Sequence, residues 1–571
     1  MNVLLADFGS TFVKCAVYDT AEKVYLRCEK VPFPSPCTDD GLRFEVSERD
    51  ISKLVSSVLD IGKGSDCKRA YISVQMHGFL VRRRDGSVTN YISWRDKTGN
   101  TDLTDIDFIS RGTSRKPNLP YLKLCGEDHT EEEYFTLGSY IAYILTGRNI
   151  THKTDGCASG FFCASALSAD NSLGLKLPEI TDKIIPVGCC DGITVSTPVG
   201  DHQASYMGSG ADTEAYLINI GTATQISCLE AEPYRAEGCE ARPYIKDGSL
   251  ITVTGLTGGD KLSDSDAADT LREEIRQAIS KLPLRSKAVL GGGGSPTVFS
   301  KMKSELEAMG ISCSACEGDI GTEGLRLMAE AHRMKIGTML SEAAFTNFPI
   351  ILKNAGIDFY IIDCEHGAFD FHTLSELITK SKLVGMKTII RIGDARREYI
   401  TKLCDMGASG FLLSMTGTAS DIEAVVRYAK YSPIGKRGIS TTRAHTLYNP
   451  PRLTDYMASA NREMKIYAQI ETAEGVSNIG SILKVNGVDG VFIGPNDLSD
   501  DLGCIGDNTP VKQCISQVAK AANTVGKPWG IITASSDLID HSTALGVDMI
   551  SCGSELNMLI DGCKRLNEKF M

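Results

Sequence analysis

The chain has 571 residues and a formal net charge of −12, from 60 Lys and Arg against 72 Asp and Glu. This acidic balance argues against nucleic acid or an anionic membrane as the main partner. No apolar run approaches the ~18 residues that a spanning helix needs. The N-terminus MNVLLADFGS lacks the basic and apolar regions of a signal peptide. We therefore expect a cytoplasmic protein that acts on small molecules.

The 19 cysteines are scattered, often within apolar runs. In a reducing compartment such cysteines behave as small buried hydrophobes. One CxxC runs from Cys313 to Cys316, but no second CxxC or paired histidines complete a zinc site. We expect these two cysteines to be packing residues.

The chain begins with three strand candidates at hairpin spacing. Residues 2–8 and 12–19 are apolar and β-branched on either side of Gly9-Ser10-Thr11, and a third run extends over 23–31. Helical segments follow, which predicts a mixed α/β layer. The turn after Asp7 can bring backbone N–H groups close to a phosphate, with the carboxylate near Mg²⁺. A second such turn, 219–224, predicts a nucleotide cleft between two lobes, although ordinary hairpins use the same residues.

Eight short motifs are spread along residues 1–334. This region resembles the FGGY family of carbohydrate kinases, which have the actin-like, ribonuclease-H-like ATPase fold. The resemblance implies two lobes, about 1–195 and 196–334, of which the second is shorter than is usual in the family. The segments are DFGSTFVK (7–14), QMHG (75–78), SWRD (93–96), LTG (145–147), VGDHQAS (199–205), NIGTATQ (219–225), GGGGS (291–295) and GTEGLRL (321–327).

The kinase resemblance also implies site residues and the cofactors ATP and Mg²⁺. Asp201 would be the base that takes the proton from the sugar hydroxyl, since phosphoryl transfer otherwise needs positioning and charge neutralisation. A capping carboxylate at Asp201 and a satisfied core histidine at His77 are the alternatives. The implied set is Asp7 near Mg²⁺ and the phosphates, Thr11, Lys14, Gly221 and Thr222 at the phosphates, Gln75, Met76 and His77 in the sugar pocket with Trp94 and Asp96 nearby, and Gly292 and Gly293 against adenosine.

After residue 334 apolar strand candidates alternate with helical stretches. Eight strands in such an alternation over residues 335–571 predict a (β/α)8 TIM barrel. No proline-rich linker separates the barrel from the first part of the chain. The candidate strands are 336–340, 359–364, 387–391, 410–414, 465–471, 490–494, 528–532 and 548–552.

Barrel enzymes place their chemistry at the carboxyl ends of the strands, and four of these ends are polar. Glu471 and Asp497 offer hard oxygen ligands for Mg²⁺ or Mn²⁺. Arg391 can grip a carboxylate and stabilise a neighbouring oxyanion, and His366 can move a proton near neutral pH. Together with a metal acting as Lewis acid, these groups suit formation and protonation of the enolate of a 2-oxo acid.

The barrel segment resembles the HpcH/HpaI family of class II pyruvate aldolases. The matches are IIDCEHG (361–367), IIRI (389–392), KRGIS (436–440), QIET (469–472), VDGVFIGPNDLSDDLG (488–503) and LGVDMISCG (545–553). The resemblance implies a homo-oligomer of two to six copies. It implies Glu471 and Asp497 as metal ligands, Arg391 at the pyruvyl group, His366 as acid and base, Gln469, Gly494 and Pro495 at the substrate, and Asp363 and Asp405 as supporting carboxylates.

One position of the barrel segment departs from the family pattern, and one basic stretch has two interpretations. The family usually has a proline before the methionine at the end of the fourth strand, where this chain has Ser414-Met415. The basic stretch 437–443 predicts either a solvated loop or a grip on an anionic group of the aldehyde.

The expected function is bifunctional. The first domain phosphorylates a sugar or sugar acid, and the barrel splits a 2-oxo acid into pyruvate and an aldehyde. Three alternatives stay open: condensation of pyruvate with an aldehyde to an ulosonic acid, a non-catalytic nucleotide or sugar sensor ahead of an aldolase, and a lyase that acts on acyl-CoA esters.

Overall fold

The computed structural model describes residues 1–570 except 103–106, 109, 165, 222, 234–236, 259–260, 262–264, 317, 332 and 344. The chain divides into two units, Met1–His332 and Arg333–Met571. Within the described residues, no helix is long and apolar enough to cross a membrane.

The first unit is a mixed α/β structure. Its strands are β1 (Asn2–Phe8), β2 (Phe12–Asp19), β3 (Val24–Pro32), β4 (Thr38–Asp39), β5 (Phe44–Val46), β6 (Arg69–Val74), β7 (Phe79–Arg82), β8 (Tyr91–Ile92), β9 (Glu133–Thr136), β10 (Ile150–His152), β11 (Glu179–Thr181), β12 (Pro186–Cys190), β13 (Ile193–Ser196), β14 (Val199–Gly200), β15 (Ala215–Ile220), β16 (Thr224–Glu230), β17 (Glu240–Pro243), β18 (Ser249–Leu256), β19 (Lys287–Gly291) and β20 (Ser312–Ala315). Its α-helices are α1 (Glu48–Gly64), α2 (Pro120–Leu124), α3 (Leu137–Thr146), α4 (Lys153–Gly156), α5 (Asp201–Gly208), α6 (Ser265–Ile279), α7 (Ser295–Ala308) and α8 (Ile320–Ala331).

Two sheets of the first unit repeat one arrangement. In the first, β1 and β2 form an antiparallel hairpin and β6 lies parallel to β1. In the second, β15 and β16 form the hairpin and β19 lies parallel to β15. The predicted hairpin at the N-terminus is confirmed, and its third strand, β3, begins at Val24. Because each hairpin turn follows the central strand of its sheet, both candidate phosphate turns stand at carboxyl ends of central strands.

The first unit buries apolar side chains on both faces of its central strands. Six residues of β1 are fully buried, so this strand reads as a continuous apolar run rather than an alternating one. Helix α1 covers the sheet with Ile51, Leu54, Val55 and Val58, which recur at helical spacing, and its other face is polar.

Helices α5 and α8 cross at backbone distance. A Cβ on Gly208 would lie 1.9 Å from the carbonyl oxygen of Ile320, and one on Gly324 would lie 1.9 Å from that of Ala204. Only glycine permits this approach. The crossing sets the last residue of α5 against the first residue of α8, and α8 also packs against β1.

The second unit is a closed barrel of parallel strands. Within its described residues, eight strands pair in sequence order and the last pairs with the first, which confirms the predicted barrel. The strands are β21 (Lys335–Leu340), β22 (Phe359–Asp363), β23 (Lys387–Ile392), β24 (Gly410–Leu413), β25 (Lys465–Ile470), β26 (Gly490–Ile493), β27 (Trp529–Ile532) and β28 (Met549–Ser554). The α-helices are α9 (Phe348–Asn354), α10 (Phe371–Val384), α11 (Arg397–Met406), α12 (Ala419–Ala429), α13 (Leu453–Glu463), α14 (Ala473–Ser477), α15 (Ile479–Lys484), α16 (Pro495–Asp501), α17 (Asn508–Thr524), α18 (Ser536–Ala544) and α19 (Glu555–Phe570).

Alternation along the barrel strands separates two cores. Phe359 and Ile361 belong to the cluster inside the barrel, with Phe492 among its other members. Tyr360 and Ile362 belong to the larger cluster between the strands and the surrounding helices. This two-sided burial explains why the strands read as apolar runs and why charged residues appear only where the strands end.

We expect Gly324→Ala to destabilise the first unit by about 2–3 kcal/mol, because the added methyl group meets backbone that has no room to move. Hydrogen exchange followed by mass spectrometry should show faster exchange in peptides from α5 and α8. Gly64→Ala at the end of α1 is the matched control, since a Cβ there has no atom within 4 Å. Equal protection of α5 in the two variants would contradict the close crossing.

Candidate functional site

Three charged groups meet at the end of β1. Asp7 and Lys14 lie opposite each other on β1 and β2, with the Lys14 ammonium 3.6 Å from Asp7 and 2.6 Å from Asp319. Asp7 also accepts a hydrogen bond from the Ser73 hydroxyl at 2.7 Å. Burial raises the pKa of Asp7, and the negative charge of Asp319 adds to this against the opposing effect of Lys14. The sequence predicted Asp7 and Lys14 together and missed Asp319, which precedes α8.

Asp201 is the first residue of α5 and points toward the same group. Burial, followed by the charge of Asp7, raises the pKa of Asp201 to about 7, while the N–H of His202, Arg242 and Lys14 act in the opposite direction. Its carboxylate accepts a hydrogen bond from the His202 N–H at 2.8 Å. A half-buried carboxylate with a pKa near neutrality is well placed to accept a proton from a substrate.

The glycine turns of the second sheet lie side by side. The Gly294 N–H donates to the Ile220 carbonyl at 2.9 Å, which ties the loop after β19 to the turn at Gly221. Gly292 has φ +88°, and a Cβ there would lie 2.5 Å from the Ile220 carbonyl oxygen, whereas Gly293 has open space around it. Thr11 is exposed in the first turn. Thr222 lies outside the described residues.

The segment after β6 carries Gln75, Met76 and His77. Gln75 is 3% exposed, and neither atom of its amide has a hydrogen-bond partner among the described residues. His77 has φ 65° and its Nδ1 lies 2.7 Å from the Ala158 carbonyl. Burial, followed by the charge of Arg242, lowers the pKa of His77 to about 4. Met76 packs against the start of α5, where a Cβ on Gly200 would lie 2.8 Å from its sulfur.

Asp96 does not lie open to a substrate. It forms a buried ion pair with Lys123 at 3.1 Å and accepts hydrogen bonds from the Phe44 and Thr98 N–H groups. Both oxygens of the Asp96 carboxylate therefore accept hydrogen bonds from protein groups, and these contacts fix the loop that carries the half-buried Trp94. The resemblance of the segment 93–96 to the kinase family placed Asp96 near the sugar pocket, and the pairing with Lys123 was not visible in the sequence.

A buried cluster that the sequence missed adjoins these residues. Glu240 and Arg242 lie on β17, with Arg242 Nε 2.8 Å from a Glu240 oxygen, and Lys116 forms an ion pair with the same carboxylate. The Arg242 guanidinium also donates to His202 Nδ1 at 3.2 Å. The alternation Glu240-Ala241-Arg242 was the available signal, because side chains at positions i and i+2 of a strand share one face.

In the second unit, Asp363 and Arg391 end neighbouring strands. They are paired in register across β22 and β23, and Arg391 donates through Nε and Nη2 to the two oxygens of Asp363 at 3.0 and 2.6 Å. Burial lowers the pKa of the Arg391 guanidinium, but the hydrogen bonds and negative charge of Asp363 outweigh this effect, so the pKa is raised. This forked contact fixes the guanidinium plane at the mouth of the barrel.

Glu471 follows β25 and is 2% exposed. It accepts hydrogen bonds from Gln469 Nε2 at 2.6 Å and from the Met415 N–H at 2.9 Å. Burial, together with the neighbouring charge of Asp497, raises the pKa of Glu471 to about 7. Gly494 leaves room for this carboxylate, since a Cβ there would lie 2.3 Å from a Glu471 oxygen. Pro495 is the first residue of α16 and presents the exposed Asp497 two residues later.

His366, Glu365 and Ser414 complete the barrel mouth. The His366 side chain is 73% exposed, with Nε2 3.9 Å from Glu365. Ser414 donates to Glu365 at 2.7 Å, and Glu365 lies 3.4 Å from Arg391. The sequence did not assign Glu365 or Ser414 a role. The serine that stands in place of the family's proline therefore holds a second carboxylate beside Arg391.

The residues at the barrel mouth fit a divalent cation. Glu471 and Asp497 are neighbouring carboxylates, and burial raises the pKa of Glu471, with the negative charge of Asp497 adding to this effect and the charge of Arg391 opposing it. Within the described residues, no group of three or more His, Cys, Asp or Glu is arranged to hold a metal. A metal here would take two protein carboxylates, and its other ligands would be water and substrate oxygens.

Asp405 lies away from this site within the chain. It is near the end of α11 and pairs with the buried Arg437 at 2.9 Å. Arg437 lines a cavity with Lys387 and Met464, which stand at the amino ends of β23 and β25. Within one copy of the chain Asp405 therefore lies away from the carboxyl ends of the strands and does not support the site there, because helices between barrel strands return to the opposite end. Of the basic stretch 437–443, for which a solvated loop and an anion-binding loop were both open, Arg437 is buried against Asp405.

The second unit matches one family model and known relatives in sequence. The model of the HpcH/HpaI aldolase/citrate lyase family matches residues 345–562. The 5-keto-4-deoxy-D-glucarate aldolase of Shigella dysenteriae serotype 1 is 29% identical over 222 residues, which cover 38% of this chain and 86% of the relative. The HpcH/HpaI aldolase from Desulfitobacterium hafniense DCB-2 is 32% identical, and the match covers 43% of this chain and 95% of that structure with a TM-score of 0.40.

The first unit is similar to solved sugar kinases. The xylulose kinase from Lactobacillus acidophilus matches with a TM-score of 0.51 and 15% identity, covering 58% of this chain and 89% of that structure. At this identity the likeness shows the fold, and the predicted actin-like kinase fold is confirmed. The chain thus joins a unit with the fold of sugar kinases to a C-terminal unit that belongs to the HpcH/HpaI aldolase/citrate lyase family.

Proposed function

We propose that the chain is a bifunctional enzyme that phosphorylates a sugar or sugar acid and makes or breaks a carbon–carbon bond of a 2-oxo acid, with pyruvate and an aldehyde as the smaller partners. One observation supports both halves. Each unit has a carboxylate, the half-buried Asp201 or the buried Glu471, whose pKa is raised to about 7 although a buried arginine acts on it in the opposite direction. Such groups are concentrated at functional sites.

In the first unit, Asp201 accepts the proton of the substrate hydroxyl while that oxygen bonds to the terminal phosphorus of ATP and the bond to ADP breaks. Lys14 offers its ammonium to the phosphates, and the turns at Thr11 and Gly221 offer backbone N–H groups. Asp7 would hold Mg²⁺, directly or through water. Gly293 has open space around it that could take the adenosine, and Gly292 allows the loop to lie against the Ile220 carbonyl.

In the second unit, Glu471 and Asp497 would hold Mg²⁺ or Mn²⁺, which supplies Lewis acidity at the 2-oxo group. Arg391, held by Asp363, donates to the oxygen on which the enolate charge develops. In the cleavage direction a base removes the proton of the hydroxyl next to the breaking bond, and the bond's electrons pass to the pyruvate fragment. The exposed His366 is suited to move this proton between solvent and substrate. Protonation of the enolate then gives pyruvate.

The cleavage direction and the acid class of the barrel substrate are supported by a relative. The Shigella protein is named for a keto-deoxy sugar acid, 5-keto-4-deoxy-D-glucarate. We extend this chemical class, a keto-deoxy sugar acid, to the barrel of this chain. A phosphorylated acid of this class would deliver pyruvate or a pyruvate-like fragment and a phosphorylated aldehyde.

We expect the two activities to separate by single substitutions. Asp201→Asn should lower ATP-dependent phosphorylation by about 100-fold or more, because it removes the base, and should leave unchanged the release of pyruvate from an acid that is supplied already phosphorylated. Glu471→Gln should do the reverse, because it removes a charged metal ligand. Mass spectrometry of the full chain with Mg²⁺, Mn²⁺, ATP and a panel of ketoses, polyols and 2-keto-3-deoxy sugar acids measures both products.

The matched control for this experiment is Glu463→Gln, an exposed residue at the end of α13. Pyruvate release without any ATP-dependent phosphorylation would reassign the first unit as a nucleotide or sugar sensor. Cleavage of an acyl-CoA ester in preference to every 2-keto-3-deoxy sugar acid would replace the aldolase assignment.

The raised pKa of Asp201 also predicts a stability change. Between pH 5 and 7 the folded carboxyl keeps a proton that the unfolded chain has released, so the stability of the wild-type unit falls as pH rises through this window. Asparagine does not titrate. The difference between the free energies of unfolding of Asp201→Asn and of the wild type should therefore shift by about 2–3 kcal/mol in favour of the variant between pH 5 and pH 8. Urea titrations at both pH values measure this, and a constant difference would contradict the buried carboxyl.

We further propose that the chain self-associates through its barrel unit. Helix α19 exposes Leu559, Leu566 and Phe570, each more than half exposed, at spacings that place them along one face. An exposed apolar stripe of this kind is typical of an interface. Light scattering of the purified chain should give the mass of at least a dimer, and a variant with Leu559 and Leu566 changed to Lys should be smaller. A monomeric wild type would refute the association.

A further inference from the structure

Ser414 and Glu365 form a hydrogen-bonded pair at the mouth of the barrel. Ser414 follows β24 directly and is 3% exposed, and its hydroxyl donates to Glu365 Oε1 at 2.7 Å. The Ile392 carbonyl lies 3.3 Å from the same hydroxyl. Because a hydroxyl has one proton to donate, the shorter and charge-assisted contact with the carboxylate takes it. A proline at this position has no hydroxyl, so the contact depends on the serine of this chain.

The second oxygen of the Glu365 carboxylate lies among the groups of the candidate site. Glu365 Oε2 is 3.4 Å from Arg391 Nη1 and 3.9 Å from His366 Nε2. A Cβ on Gly393, just past the end of β23, would lie 3.6 Å from Glu365 Oε1. Burial raises the pKa of Glu471, and the negative charge of Glu365 contributes to this effect. The Glu365 side chain therefore lies inside the mouth, beside both the arginine and the first of the proposed metal carboxylates.

Glu365 keeps hydrogen-bonding capacity for a ligand. The hydrogen bonds of Arg391 at 3.0 and 2.6 Å go to Asp363, and its 3.4 Å contact with Glu365 is longer than a usual charge-assisted hydrogen bond. Since the described residues contain no set of three His, Cys, Asp or Glu arranged to hold a metal, Glu365 is not placed as a third ligand beside Glu471 and Asp497. Its side chain is 22% exposed, so a substrate can reach it. An ionised carboxylate only accepts hydrogen bonds, so the group that it binds is a donor such as a hydroxyl.

We propose that Glu365, held by Ser414, binds a hydroxyl group of the aldehyde fragment, so that the barrel selects 2-oxo acids whose aldehyde fragment is an α-hydroxyaldehyde. This inference rests on the proposed aldolase function and names the class of aldehyde. Arg391 and the metal carboxylates suit the 2-oxo fragment, so a hydroxyl that reaches Glu365 belongs to the other fragment. Because Arg391 and Glu365 are neighbours, that hydroxyl lies close to the bond that breaks. The carbon next to the aldehyde group is the nearest position at which substrates differ.

The two residues have different parts in this selection. Glu365 contacts the substrate hydroxyl, and an aldehyde without that hydroxyl leaves the carboxylate oxygen without a donor in a partly buried place. Sites built to hydrogen-bond a substrate hydroxyl reject analogues that lack it for this reason. Ser414 is a positioning residue, since its hydroxyl holds one carboxylate oxygen and thereby aims the other. Without the serine hydroxyl the glutamate is free to adopt other rotamers.

Condensation of pyruvate with matched aldehydes tests the proposal, because a catalyst lowers the barrier in both directions. The full chain with Mg²⁺ or Mn²⁺ receives pyruvate and one member of two pairs, glycolaldehyde or acetaldehyde, and either enantiomer of 2-hydroxypropanal or propanal. The members of each pair differ by one hydroxyl group. We expect kcat/KM to be about 10- to 100-fold higher for the hydroxylated member of at least one pair. Mass spectrometry measures the 2-oxo acid that forms.

Variants separate recognition by the protein from the higher intrinsic reactivity of a hydroxyaldehyde. Ser414→Ala should reduce the preference to less than about 3-fold, chiefly by raising KM for the hydroxyaldehyde, and Glu365→Gln should reduce it similarly because the amide carries no charge. Ser481→Ala is the matched control, since this exposed serine of α15 donates to the Asn478 carbonyl at 2.8 Å. A Ser414→Ala variant that keeps the preference of the wild type overturns the inference.

Exchange of the pyruvate methyl protons with deuterated water, followed by NMR without an aldehyde, reports formation of the enolate alone. In Ser414→Ala this exchange should fall much less than condensation with the hydroxyaldehyde, and an equal fall in both overturns the inference because a general loss of structure would produce it. A wild type that shows exchange and condenses alkyl aldehydes and hydroxyaldehydes equally also overturns it and leaves the aldolase function in place. A wild type with neither exchange nor condensation refutes the aldolase function, and the inference with it.

Discussion

Cross-strand pairing of opposite charges sets the geometry of both units. Asp363 faces Arg391 across β22 and β23, and Asp7 faces Lys14 across β1 and β2. Taking such charges out of water is costly unless each finds its partner in good geometry. A slip of one residue in either register would separate the partners and turn them to opposite faces. The strand register and the position of the candidate site are therefore fixed by the same contact.

Two carboxylates, Asp201 and Glu471, are not neutralised by an ion pair of this kind. Burial and a neighbouring carboxylate raise the pKa values of Asp201 and Glu471, and Met415 has φ 48° where its N–H donates to Glu471. Positive φ is uncommon for a side chain of this size. These features destabilise the unliganded protein and favour binding of groups that supply the missing charge, which is the usual trade between stability and function at a site.

Apolar periodicity and short motifs in the sequence determined much of this protein. The barrel strands, the N-terminal hairpin and the polar strand ends at Asp363, Arg391 and Glu471 follow from burial patterns that are local in the chain. Contacts between distant residues were decided only by the tertiary structure. Lys123 takes Asp96 away from the sugar, α11 carries Asp405 to the opposite end of the barrel, and Lys116 meets Glu240 across 124 positions of the chain. A side chain's partner depends on how elements pack, and no local pattern records that.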